Sequence, residues 1–201
     1  DDASLPSTEG AARLGALPMH LVADVAGTRI GIVHGDAASL AGWEFSQEAV
    51  RERPGSAREL LAAAGVDVLA CSHTCLPVMQ TFETPRGRVL LANNGAAGMP
   101  NFRGKCFGVV TRIATVRSRA ALHAAQVGPV WVEAVAVHYD RPAWLACFDA
   151  LWPAGSPASL SYRARIVNGP AYALEQAFRA GPGAALERVV CPALRAFRPQ
   201  L

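Results

Sequence analysis

The chain has 201 residues, 51% of them hydrophobic and 17% charged, with a formal net charge of +3. That is enough apolar material for a packed core, so a disordered chain is excluded, and the small, dispersed basic excess gives no footing for nucleic-acid binding. No apolar run reaches the roughly 18 residues of a membrane span, and the start lacks the basic, apolar, then small-residue order of a signal peptide. The five Cys are scattered and odd in number. Cys71 and Cys75 would lie roughly 13 Å apart in extended chain, beyond disulfide reach. Reduced thiols in a cytoplasmic protein are the expectation. Only Lys105 among the 19 basic residues is Lys, which reads as the Arg-rich codon usage of a GC-rich bacterial genome.

In chain order, a short helix is predicted near 10–16. Two strands follow at 20–25 and 28–33, joined by a tight Ala26-Gly27 turn. Ser46 is placed to cap a helix that starts at Gln47. A second helix is predicted over 56–64, opened by the capping-box form Ser56-Ala57-Arg58-Glu59 and closed by Gly65. A buried strand follows at 67–71, then a hairpin with arms at 78–83 and 88–92. The loop Asn93-Asn94-Gly95-Ala96-Ala97-Gly98 comes next. Strands are predicted at 106–116 and 130–139, the latter too apolar for a strand with one wet face. Helices are predicted near 143–151, 158–166, 171–180 and 184–189. Interleaved strands and helices, then antiparallel strands, then helices suggest an α/β fold of two sheets with helices outside.

Two histidine blocks stand out. Arg29-Ile30-Gly31-Ile32-Val33 runs into His34-Gly35-Asp36, and Val66-Asp67-Val68-Leu69-Ala70-Cys71 runs into Ser72-His73-Thr74-Cys75. Each reads as a buried strand that presents an imidazole at its tip, where sites collect in α/β proteins. Strand alternation would put His73 and Cys75 on one side. Two imidazoles delivered this way suggest a metal site.

Taken together, Val33-His34-Gly35-Asp36, Ser72-His73-Thr74-Cys75-Leu76-Pro77 and Asn93-Asn94-Gly95-Ala96-Ala97-Gly98 resemble the C-terminal half of calcineurin-like metallophosphoesterases, and more closely a group of bacterial single-domain phosphoesterases. The match runs from about residue 17 to about residue 104. It implies a two-sheet α/β/β/α sandwich of the metallophosphoesterase type lacking its N-terminal part, with 1–201 a single domain. It implies hydrolysis of a phosphomonoester or phosphodiester by a metal-activated water, with two divalent ions (Mn, Fe or Zn) in the complete protein and a small phosphorylated substrate. His34 and His73 would serve one metal. Cys75 stands where the family has the second His of Gly-His-x-His, and Ser72 where it has Gly. The family's earlier blocks, Asp-x-His, Gly-Asp-x-x-Asp and Gly-Asn-His-Asp or Glu, do not occur in these residues. No catalytic residue is therefore assigned, and this chain alone is expected to be inactive.

Simpler readings stand beside these. Cys75 is either a soft ligand that favours Zn or a small semi-buried thiol. Asp36 either orients His34 from behind or caps a turn. Asn93 and Asn94 either face substrate or perform ordinary turn chemistry. His20 and His123 are expected at the surface, and the four Trp as packing residues. A Cys–His hydrolase lacks an orienting third group. The competing function is a degenerate, non-catalytic phosphoesterase-like scaffold or binding module. Membrane contact is not expected, and the oligomeric state is left open.

Overall fold

A computed structural model describes residues 7–179. Helix α1 (Thr8–Gly15) leads into strands β1 (His20–Val25) and β2 (Thr28–Val33). Helices α2 (Gln47–Glu52) and α3 (Pro54–Ala64) follow, then β3 (Val68–Cys71), β4 (Val78–Thr84) and β5 (Gly87–Asn93). Strands β6 (Phe107–Ala114), β7 (Ala121–Val127) and β8 (Val130–His138) come next. Helices α4 (Arg141–Leu151), α5 (Pro157–Asn168) and α6 (Leu174–Ala177) precede β9 (Phe178–Arg179).

The strands form two sheets, one of order β1-β2-β3-β5-β4-β9 and one of order β6-β8-β7. In the first, β2, β3 and β5 run parallel, while β1 and β4 return antiparallel as hairpin partners. The tight turn at Ala26 and Gly27, both at positive φ, closes the β1–β2 hairpin, as the sequence predicts. The architecture is a two-sheet α/β/β/α sandwich.

The larger sheet is covered on both faces, and its sequence shows why. Successive residues of each central strand enter different cores. Val68, Leu90 and Met79 join Val109, Val130 and Val132 between the sheets. Their neighbours Leu69, Leu91 and Val78 pack with Phe45, Val50, Ala57 and Leu61 from α2, α3 and the preceding loop. A strand buried on both faces must be apolar at nearly every position, which accounts for the runs that mark β3 and β5.

Several expectations need correction. Helix α3 begins two residues early, at Pro54, and its N-cap Arg53 makes no side-chain cap. Ser56 instead donates its hydroxyl to Glu44 Oε2 at 2.8 Å, so the capping-box form is present in sequence and absent in structure. Ser46 does cap α2, accepting from the Ala49 N–H at 3.1 Å. The helix predicted over 171–180 is reduced to α6, because Phe178 and Arg179 pair in parallel with Met79 and Gln80 at the edge of β4. Strand β7 carries no strand signal in its Ala-rich sequence; it is held by pairing along β8. On the outer face of β8 a charged residue is fully buried: Glu133 pairs with Arg112 and accepts from the Ser118 N–H, while Trp131 and Val135 beside it are half-buried. The helix predicted near 184–189 lies outside the described residues, as does Cys191. The other four Cys are free thiols. No described helix is long and apolar enough to cross a membrane.

The Trp and His expectations also change. Trp43, Trp144 and Trp152 are exposed. His123 is buried at 3% exposure, and its ring stacks on Phe178 with centroids 4.4 Å apart. Its Nε2 is buried without a hydrogen-bond partner. Burial therefore holds it neutral and lowers its pKa to about 4. The unfolded chain binds this proton below about pH 6.5, whereas the folded chain does not until about pH 4. Stability from this site is thus full above the unfolded value and falls as the pH drops through that window. Urea unfolding of wild type and His123→Phe at pH 7.5 and 4.5 should show the variant gaining on wild type at the lower pH, by up to about 1.4 kcal/mol per pH unit. An unchanged difference would place the His123 proton in solvent.

Candidate metal centre

His34 follows β2 directly and His73 lies two residues beyond β3. These strands are parallel neighbours, with Ile32 opposite Ala70, and the Ser72 N–H continues the ladder to the His34 carbonyl at 3.0 Å. The backbone thus delivers the two imidazoles to one place. His73 Nδ1 lies 3.2 Å from His34 Nε2, across 39 positions of sequence, and the rings meet at 65° with centroids 5.0 Å apart.

The route to this geometry differs from simple strand alternation. Residues 72–77 form a tight loop, in which His73 and Cys75 both take left-handed backbone (φ 55° and 59°) around a buried Thr74. Such conformations cost of order 1–3 kcal/mol at non-glycine residues and persist only where the surroundings enforce them. The enforcement is visible. Thr74 N–H donates to Ser72 O and Leu76 N–H to Thr74 O. Ser72 Oγ donates to Gly95 O at 3.1 Å. Arg165 of α5 donates to the carbonyls of Cys75 and Pro100, and Tyr172 Oη donates to Pro77 O at 2.8 Å. Burial pushes the Arg165 pKa down and that of Tyr172 up to about 12. Cys75 Sγ donates to the His73 carbonyl at 3.2 Å, which ties the thiol to its own loop.

The other expected site residues serve the backbone. Asp36 is buried, and its carboxylate accepts from the N–H groups of Ala38, Ser39 and Glu44. This is the turn-capping alternative. Asn93 is 3% exposed, and its amide joins three segments. Nδ2 donates to Phe45 O and to Thr74 Oγ1, both at 2.8 Å, while Oδ1 accepts from the Gly95 N–H. Asn94 Nδ2 donates to Val109 O, across to the second sheet.

Trp43, Thr74 and Arg165 are participants that the sequence reading missed. Trp43 lies edge-on to His73 with centroids 5.5 Å apart. In sequence it is one of four Trp, with nothing to separate it from the others. Arg165 lies 90 positions from Cys75, beyond the reach of any local pattern.

Ligand nitrogens at about 2.0–2.1 Å from one ion can lie 3.2 Å apart, so the His pair fits two positions of a single metal's coordination shell. The pair does not fit a two-ion centre. Such centres need bridging and terminal carboxylates, and among the described residues no group of three or more His, Cys, Asp or Glu is placed to hold a metal.

The fold has counterparts among solved structures. A hypothetical protein of Pyrococcus horikoshii OT3 superposes with a TM-score of 0.53 at 17% identity, over 81% of this chain and 55% of that one. A metallophosphoesterase from Sphaerobacter thermophilus superposes with a TM-score of 0.51 at 18% identity, over 82% of this chain and 64% of that one. No protein-family profile and no curated protein sequence matches the chain. These likenesses show the fold: a two-sheet α/β/β/α sandwich of the metallophosphoesterase type. The chain spans 55% and 64% of the two structures' lengths.

The three-way role of Asn93 makes the site's assembly testable. Asn93→Ala removes two donors and one acceptor, leaving the Phe45 carbonyl and the Gly95 N–H buried without their partner. An unsatisfied buried group costs about 1–3 kcal/mol, so a loss of several kcal/mol in urea unfolding is expected. The same change at exposed Glu59 should be nearly silent. A loss under about 0.5 kcal/mol for Asn93→Ala would show that these loops hold their positions independently.

Proposed function

We propose that these residues act as a phosphoesterase-like scaffold that binds one divalent cation through His34 and His73, and that they do not hydrolyse phosphate esters by themselves. The observation that supports this reading is the convergence of the two ring nitrogens, in hydrogen-bond contact at 3.2 Å, with no third His, Cys, Asp or Glu grouped with them among the described residues. On this reading Asp36, Asn93 and Cys75 are positioning residues, which hold the loops that carry the histidines. On the same reading the described residues 7–179 belong to one domain, which corresponds to the C-terminal part of a metallophosphoesterase domain.

A second reading, metal-dependent hydrolysis of a small phosphate ester, is favoured by the fold and by the convergence of the histidines. A bound divalent ion would supply charge to phosphate oxygens and acidify a water. For this chain's own residues that reading requires His34 and His73 to be unprotonated at the nitrogens that face each other. It also requires further ligands that these residues do not assemble.

Titration calorimetry with Zn²⁺ and with Mn²⁺ tests the scaffold reading, together with hydrolysis of an aryl phosphate in Mn²⁺. Cation binding should be weak and stoichiometric, with no turnover above buffer. His34→Ala and His73→Ala should each weaken it by more than the roughly 10- to 100-fold that loss of an outer-shell partner costs. Cys75→Ala, which removes a positioning contact and no ligand, should weaken it far less than either His change. Undiminished cation binding in both His variants would remove the site. Robust metal-dependent turnover by the wild-type chain would favour the hydrolase.

A further inference from the structure

We infer that Trp43 is a stacking platform for the planar aromatic group of a phosphate ester, a nucleotide or an aryl phosphate, whose phosphate lies toward His34 and His73. This rests on the proposed divalent-cation site at the histidine pair, which a phosphate group would complete, and adds the class of ester. Trp43 is 58% exposed. It meets His73 at an interplanar angle of 72° with centroids 5.5 Å apart, so the indole lies beside the imidazoles with most of its surface open to a ligand.

Exposure alone does not single it out, since Trp144 and Trp152 are exposed on and beside α4. What distinguishes Trp43 is the loop that carries it. The Asp36 carboxylate accepts from the N–H groups of Ala38, Ser39 and Glu44, the last directly after Trp43. Directly before it, Gly42 lies so close to that carboxylate that a Cβ would fall 1.7 Å from Asp36 Oδ2. The Trp43 carbonyl accepts from the Ser46 N–H at 3.0 Å, and Phe45 is fully buried in the core. The chain is thus pinned immediately before and after an indole left in solvent. Large apolar surface held out on a fixed loop beside a polar site is the usual form of a recognition element. An indole face takes planar rings by stacking, with little regard to which ring.

Calorimetry in Mn²⁺ with four probes tests this: adenosine 5′-monophosphate, phenyl phosphate, ribose 5-phosphate and adenosine. Trp43→Ala should weaken the adenine-bearing probes by about 5- to 150-fold, the range for loss of one aromatic–base stack, with Trp43→Phe in between. Ribose 5-phosphate should bind both variants as it binds wild type. Whichever of the nucleotide and phenyl phosphate loses more identifies the ring the site takes. The inference is overturned if Trp43→Ala leaves adenosine monophosphate and phenyl phosphate unchanged, if it weakens ribose 5-phosphate equally, or if no probe binds. The histidine role is judged separately. His34→Ala and His73→Ala should weaken the three phosphates and spare adenosine, so a failed phosphate role leaves the Trp43 effect on adenosine still readable.

Discussion

The site depends on one side-chain amide buried where three chain segments meet. Asn93 sits at the end of β5, opposite Cys71 of β3 and Val78 of β4. From there its two N–H groups reach the loop after β2, at Phe45, and the loop after β3, at Thr74. Its oxygen turns the following chain at Gly95. A buried amide that failed to make these bonds would carry a large desolvation penalty. The three segments are therefore held together as a unit. His34 and Trp43 belong to the first segment and His73 to the second, so the same amide fixes the distances among all three rings.

The parallel pairing of β2, β3 and β5 supplies the rest. Parallel strands bring their C-terminal ends to the same edge, and the loops that leave that edge hold the functional side chains. The left-handed conformations at His73 and Cys75 fit this arrangement. Extended chain at 72–75 would project successive side chains alternately to the two faces of the sheet. The tight loop instead buries Thr74 toward Asn93 and turns His73 toward His34. The strain of the loop is the cost of that orientation, and Arg165 and Tyr172 hold the carbonyls that result.

What was legible in the sequence follows from this division between local and assembled features. The strands β3 and β5 are readable because burial on both faces leaves uninterrupted apolar runs, the β1–β2 hairpin is readable from its tight Ala26-Gly27 turn, and the convergence of the two histidines follows from β2 and β3 being neighbours. The capping-box form at Ser56 misled because Glu44, from an earlier loop, competes for the hydroxyl. Strand β7 and the short α6–β9 segment were unreadable because pairing partners far away in sequence decide them. His123 looked like a surface residue because nothing in its Ala-rich neighbourhood announces the ring of Phe178. For Asp36 and Asn93 the sequence leaves two roles open each, and the backbone N–H and carbonyl groups they meet in the structure are ones that a sequence cannot display.

The chemistry of the donor pair limits what these residues do. Two imidazoles bind a divalent ion as neutral ligands, so they leave its charge uncompensated. The carboxylates nearest in the chain are engaged elsewhere and are not ligands. Asp36 is engaged by three backbone N–H groups, and Glu44 is held by Arg53 and Ser56. On the proposed reading, an anion must complete the neutralisation, and a phosphate ester does so directly. Cation and phosphate then bind with positive coupling, each raising the affinity for the other by the same factor. A site of this kind holds little metal in the absence of its ester. On the proposed reading it would discriminate among esters by what the surrounding surface offers beyond the phosphate, and the indole of Trp43 lies beside this pair.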